Sequence, residues 1–103
     1  MKDNHKKLLL HIARAAIFQG LGPSGEDPPL LREVPAELMI ERATFVTLEL
    51  DGRLRGCIGM LEACRPLAED VEENARAAAF QDPRFPPLSR DECARLEIHI
   101  SVL

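Results

Sequence analysis

Apolar residues recur at helical spacing from residue 4 to 19. At 100° per residue Leu8, Leu9, Ile12, Ala13 and Ala16 share one broad face, while Lys7, His11 and Arg14 hold the opposite stripe. This predicts a helix, with Asp3 or Asn4 capping its start and Gly20 or Gly22 ending it in a left-handed conformation. His11 lies on the polar stripe and reads as a solvated side chain.

From residue 20 to 42 the periodicity stops. Gly22-Pro23-Ser24-Gly25 and Asp27-Pro28-Pro29 cannot continue a helix, because each proline removes a donor and restricts the residue before it. A long surface loop is expected here, with one turn of helix at Ala36-Glu37-Leu38.

Periodicity returns with a different period. Thr44 to Leu50 is rich in apolar and β-branched residues, and Asp51-Gly52 is a favoured two-residue hairpin turn. The return strand is Arg53 to Gly59. A two-residue turn sets Leu50 opposite Arg53, Leu48 opposite Arg55, Val46 opposite Cys57 and Phe45 opposite Ile58. In that register Cys57 shares a face with Arg55, and Gly56 and Ile58 point the other way.

Residues 66 to 80 again carry a helical stripe, made by Leu67, Val71, Ala75 and Ala78, with Asn74 at its margin. Pro66 suits the first helical position, and the Glu69-Asp70-Val71-Glu72-Glu73 run reads as a solvated face. The stiff segment Asp82 to Leu88 follows. Ser89-Arg90-Asp91-Glu92 has the capping-box pattern and should open a very short helix. Strict alternation over residues 96 to 103 puts Leu96, Ile98, Ile100 and Val102 on one face of a half-buried strand. The order is helix, hairpin, helix, strand: an α+β chain.

Composition then narrows the function classes. The chain has 103 residues, 46% of them hydrophobic and 29% charged, which is one small domain and excludes a wholly disordered chain. Thirteen basic against seventeen acidic residues leave a net charge of -4, and no Trp or Tyr is present to stack on bases. Nucleic-acid binding is therefore not expected. The longest apolar run, Leu8-Leu9-Leu10, is far short of the roughly 20 residues that span a bilayer. Lys2, Lys6 and Lys7 precede that run as in a signal peptide, but His11 and Arg14 interrupt it, so a cytoplasmic chain without membrane association is expected.

Cys57, Cys64 and Cys93 are odd in number and read as reduced thiols. Their spacing fits no paired-ligand pattern for structural zinc, so neither a metal nor another cofactor is expected. The suggestive segment is Gly56-Cys57-Ile58-Gly59, preceded by Arg53 and Arg55. Glycines permit close approach of a ligand or backbone, and guanidinium groups favour a thiolate. Nucleophilic chemistry would also need a base beside the sulfur, and His99 is the one histidine on a predicted strand. The plainer reading is a small cysteine between glycines that allow close helix–sheet packing. Asp82 and Arg84, on the stiff segment, are candidates for recognition, or the prolines there simply fix the path while Phe85 and Leu88 pin it to the core.

Together these stretches resemble the AMMECR1 domain family, also known as protein A of the AmmeMemoRadiSam system. The resemblance is carried by Leu54-Arg55-Gly56-Cys57-Ile58-Gly59, by Arg65 to Val71, by Asn74-Ala75 and Ala77 to Phe80, by Asp82 to Leu88, and by the strand Leu96 to Leu103. It spans residues 6 to 103. It implies two β-β-α-β repeats with exchanged strands preceded by a helix, of which these residues would supply the helix and the first repeat. It also implies a shared pathway with Memo-type and radical-SAM proteins as partners, and makes Arg55, Gly56, Cys57 and Gly59 the matched site positions.

Three readings follow. The first is a binding or accessory component for an unknown small molecule or protein, with a cleft at Arg55 to Gly59 supported by Asn74, Asp82 and Arg84. The second is an enzyme with Cys57 as nucleophile, and the third a structural protein–protein module. The apolar terminal strand, which needs neighbours on both edges, also leads us to expect a homodimer or a marginally stable chain.

Overall fold

The computed structural model describes residues 1–22 and 33–103. Most of the predicted loop, residues 23–32, lies outside the described residues. Helix α1 (Asp3–Gly20) forms on the predicted face, burying Leu9, Ile12, Ala13, Ala16 and Ile17 and also His5 and Ala15. It begins one residue earlier than expected. Lys2 takes the N-cap position without a side-chain cap, and Asp3 falls in the first turn, where its charge still favours the helix dipole. Gly22, at φ 129°, turns the chain away just past the end. The turn Ala36–Leu38 is present as a 3-10 helix that buries Leu38.

The hairpin joins β1 (Thr44–Leu50) to β2 (Arg53–Gly59), and Asp51 and Gly52 both have positive φ, 53° and 79°. Helix α2 (Leu67–Phe80) follows, with Pro66 at its N-cap position and not inside it. Next come α3 (Arg90–Cys93), opened by the expected Ser89/Glu92 capping box, and β3 (Leu96–Val102). The sheet is antiparallel with order β2-β1-β3. Both long helices pack on one face: α2 on β1 and β2, and α1 on α2 and β3. The fold is therefore α+β.

The core lies in that layer. Val46 and Leu48 of β1 and Leu96 of β3 meet Leu67, Val71, Ala75, Ala78 and Ala79 of α2 and Leu9, Ile12 and Ile17 of α1. The alanine-rich face of α2 lets its backbone approach the sheet closely. At Gly56 a Cβ would collide with the Ala78 carbonyl oxygen and lie 3.1 Å from its carbon. The glycine is required by contact, not by backbone angle.

One expectation fails here. The pairing runs Leu50 with Arg53 and Glu49 with Leu54, but then Leu48 with Gly56, Thr47 with Cys57, Val46 with Ile58 and Phe45 with Gly59. Arg55 is an extra residue in β2, a β-bulge. A single extra residue inverts the facing of everything beyond it. Cys57 therefore does not stand opposite Val46 on the helix-covered face. It stands opposite Thr47 on the open face, while Ile58 packs inward. Gly56, opposite Leu48, faces the helices, and Arg55 is the buried residue of the bulge, so Cys57 alternates away from Gly56. The physical reason is the helix: only glycine fits against Ala78, and the bulge turns Gly56 toward it.

No helix among the described residues is long and apolar enough to cross a membrane.

Candidate functional site

The bulge at Arg55 organises the site. Arg55 is 8% exposed, and its guanidinium meets Glu92 as a fork, Nε donating to Oε2 at 2.9 Å and Nη2 to Oε1 at 3.0 Å. Nη2 also donates to the Pro86 carbonyl at 2.8 Å. Nη1 is buried without a hydrogen-bond partner among the described residues, and the guanidinium carbon lies 5.8 Å from the centroid of the Phe85 ring, whose face attracts a cation. Arg84 lies 5.4 Å from the same ring. Glu92 accepts from the Ser89 backbone at 3.0 Å as well. With Arg55 the principal cause and the cap second, its carboxyl is held down to about 2, from an ordinary 4.5.

Asp82 closes the free edge of β2. Its Oδ2 accepts from the Cys57 backbone N–H at 3.1 Å and from Arg84 Nη2 at 2.8 Å, and its Oδ1 accepts from the Arg84 backbone and Nε. The Arg84 side chain first, then its backbone, hold the Asp82 carboxyl well below the usual carboxylate range. Arg55, Cys57, Asp82 and Arg84 are thus brought together. An edge strand whose outward N–H is capped by a buried carboxylate offers one less site for foreign pairing.

Asn74 is not part of this group. It lies in a second buried network near the start of β1, donating to the Thr44 carbonyl and hydroxyl and to Asp70 Oδ2. The Thr44 hydroxyl donates to Asp70 Oδ2 at 2.6 Å, and Arg65 reaches Asp70 Oδ1 at 2.6 Å and Asn74 Oδ1 at 3.0 Å. Asp70, read from the sequence as solvated, is 1% exposed. The correction has a simple cause: Asp70 and Asn74 are four residues apart on α2 and border its apolar stripe, so both face the sheet.

What remains accessible is the open face. The Cys57 thiol is half-buried there and shares a 3.3 Å hydrogen bond with the Thr47 hydroxyl. Gly59 lies against Phe45, where a Cβ would strike the ring. Thr47 pairs with Cys57 on one side and with His99 on the other. The backbone positions of Cys57 and His99 therefore stand two strand spacings apart, about 10 Å. His99 shares the thiol's face, but its Nε2 meets Glu49 and Glu97 while the thiol meets Thr47. Cys64 is exposed and Cys93 is buried, with burial pushing the Cys93 thiol up.

An apolar groove of about 450 Å³ lies at the other edge of the sheet, between α1 and β3, with Leu9, Leu10, Ile98 and Ile100 among its walls. Thr44, Arg65 and Thr47 carry no site signal of their own in the sequence. Glu92 was visible only as a cap, and its second role depends on a fold contact across 37 residues.

The chain is similar to proteins of known family. The AMMECR1 family model matches residues 10–103. A protein of Methanothermobacter thermautotrophicus is 41% identical over 97 residues, covering 94% of this chain and 50% of the relative. A protein of Thermotoga maritima is 52% identical over 73 residues, covering 68% of this chain and 42% of the relative. The crystal structure of an uncharacterised protein from Pyrococcus horikoshii superimposes with a TM-score of 0.85 at 33% identity, covering 99% of this chain and 52% of that one. The chain spans about half the length of the relatives it matches.

Proposed function

The chain belongs to the AMMECR1 family, and from that premise we propose that it is a cytoplasmic binding or accessory component whose contact site is the open sheet face at Leu54–Gly59, centred on Cys57. The observation that carries this reading is the division of labour within the motif. Arg55 is committed to Glu92, Gly56 to α2 and the Cys57 N–H to Asp82. The one functional group of the motif left facing outward is the Cys57 thiol, beside the Thr47 hydroxyl. Buried polar anchors of this kind hold a contact surface rigid, which lowers the ordering cost of binding. In this reading Asp82 and Arg84 support the surface from the edge of β2, and Asn74 supports it from the far end of β1.

Binding is favoured over nucleophilic catalysis because a thiol nucleophile needs a base within hydrogen-bond reach, and the neighbour of Cys57 is a hydroxyl. The partners we propose are a Memo-type and a radical-SAM protein, with self-association through the free edge of β3 as a further element of the assembly.

The test is thiol protection. The chain is mixed with each purified candidate partner, treated with iodoacetamide and read by mass spectrometry, with exposed Cys64 as internal reference. Slower labelling of Cys57 but not Cys64 in the presence of a partner is expected. Equal labelling of Cys57 with and without both partners, with neither retained on the tagged chain, would overturn the reading.

A further inference from the structure

The antiparallel register of β1 and β3 sets Glu49 directly opposite Glu97, and His99 follows two residues later on the same open face. Like charges directly opposite one another destabilise a sheet. Among the described residues no Lys or Arg forms an ion pair with either carboxylate, and the ionisable group that reaches both is His99. Its Nε2 lies 3.4 Å from Glu49 Oε1 and 3.7 Å from Glu97 Oε2.

The three side chains offer one donor atom each, and those atoms all fall within 4.8 Å of one another. Metal–ligand bonds of about 2.0–2.1 Å set neighbouring donors of a tetrahedron about 3.3–3.4 Å apart. The contacts of His99 are therefore within a few tenths of an ångström of that spacing before any cation draws them in. The donors also sit on two paired strands, which hold geometry better than loops do. An imidazole with two carboxylates suits a borderline cation better than calcium or magnesium, which prefer oxygen alone.

We propose that Glu49, Glu97 and His99 form a binding site for one divalent cation of the zinc class, with a coordination position left open to water or to a donor from a partner. The cysteine spacing in the sequence pointed to no metal site. This one is assembled by register across 48 positions of chain, from Glu49 to Glu97, and no local spacing announces it. It uses none of the side chains of the Cys57 surface, so either reading stands or falls without the other.

The experiment is a titration of the chain with Zn²⁺ against a chromophoric chelator, and with Co²⁺ followed by visible absorption. One ion per chain is expected, with cobalt d–d bands and no thiolate-to-metal charge-transfer band. Glu97→Gln and His99→Ala should each weaken Zn²⁺ binding by more than the roughly 10- to 100-fold that changes outside the ligand shell cost. His11→Ala, an exposed histidine on α1, should leave it unchanged. Glu97 and His99 are 66% and 57% exposed, so their variants keep the core, which circular dichroism checks. Unchanged affinity in both variants, a thiolate band, or failure of the native chain to retain Zn²⁺ at micromolar concentration would overturn the proposal.

Discussion

Substituting Gly56 by alanine tests the central packing contact of the fold. The new methyl group would occupy the space of the Ala78 carbonyl oxygen, which is backbone in the last turn of α2 and cannot rotate away. Either α2 lifts off β2 or the bulge at Arg55 shifts, and the second course pulls the guanidinium from Glu92. Overpacking a close contact costs about 1–3 kcal/mol, and a rigid neighbour puts this case near about 3 kcal/mol. Small domains are stable by about 5–15 kcal/mol, so the loss is a large fraction of the total. At about 4–8 °C per kcal/mol for a chain of this size, the thermal midpoint should fall by about 12–24 °C.

The assay is thermal unfolding by circular dichroism, beside a Gly52→Ala control. Gly52 has φ 79° and open space around its Cβ position, so its substitution should cost only the backbone strain of about 1–2 kcal/mol. A Gly56→Ala midpoint within about 4 °C of the native chain, or above that of Gly52→Ala, would refute the argument.

Three further outcomes follow from the same geometry. Asp70→Ala removes the acceptor shared by Thr44, Asn74 and Arg65; because Arg65 keeps some access to water, urea unfolding should show a loss near the low end of the about 3–5 kcal/mol typical of broken buried pairs. Less than about 1 kcal/mol would contradict the network. Glu92 ionises more readily folded than unfolded, so its contribution is fully present above about 4.5 and is lost as pH falls toward about 2. Urea midpoints measured across that interval should decline more steeply in the native chain than in Glu92→Gln, and equal slopes would exclude the linkage. Iodoacetamide should label Cys64 first, Cys57 more slowly and Cys93 last, following exposure and the raised Cys93 thiol; Cys93 reacting before Cys57 would show that the packing around α3 is wrong.

Periodicity determined much of this protein before any tertiary contact was considered. Alternation marked β3, the 3.6-residue repeat marked α1 and α2, and Asp51-Gly52 marked the hairpin, because those signals depend on neighbours a few residues apart. The α3 capping box is local for the same reason. The burial of Asp70 was not legible, because its acidic run reads as a solvated face and only contacts with Thr44, Asn74 and Arg65 draw it in. Nor was the facing of Cys57. It depends on whether β2 carries one residue more than β1 needs, and nothing within Arg53–Gly59 states that. The tertiary structure decides it, because Gly56 must face the Ala78 carbonyl and Arg55 must find Glu92. Strand periodicity has only two phases, so a long-range contact that shifts the register by one residue reverses which side chains meet water.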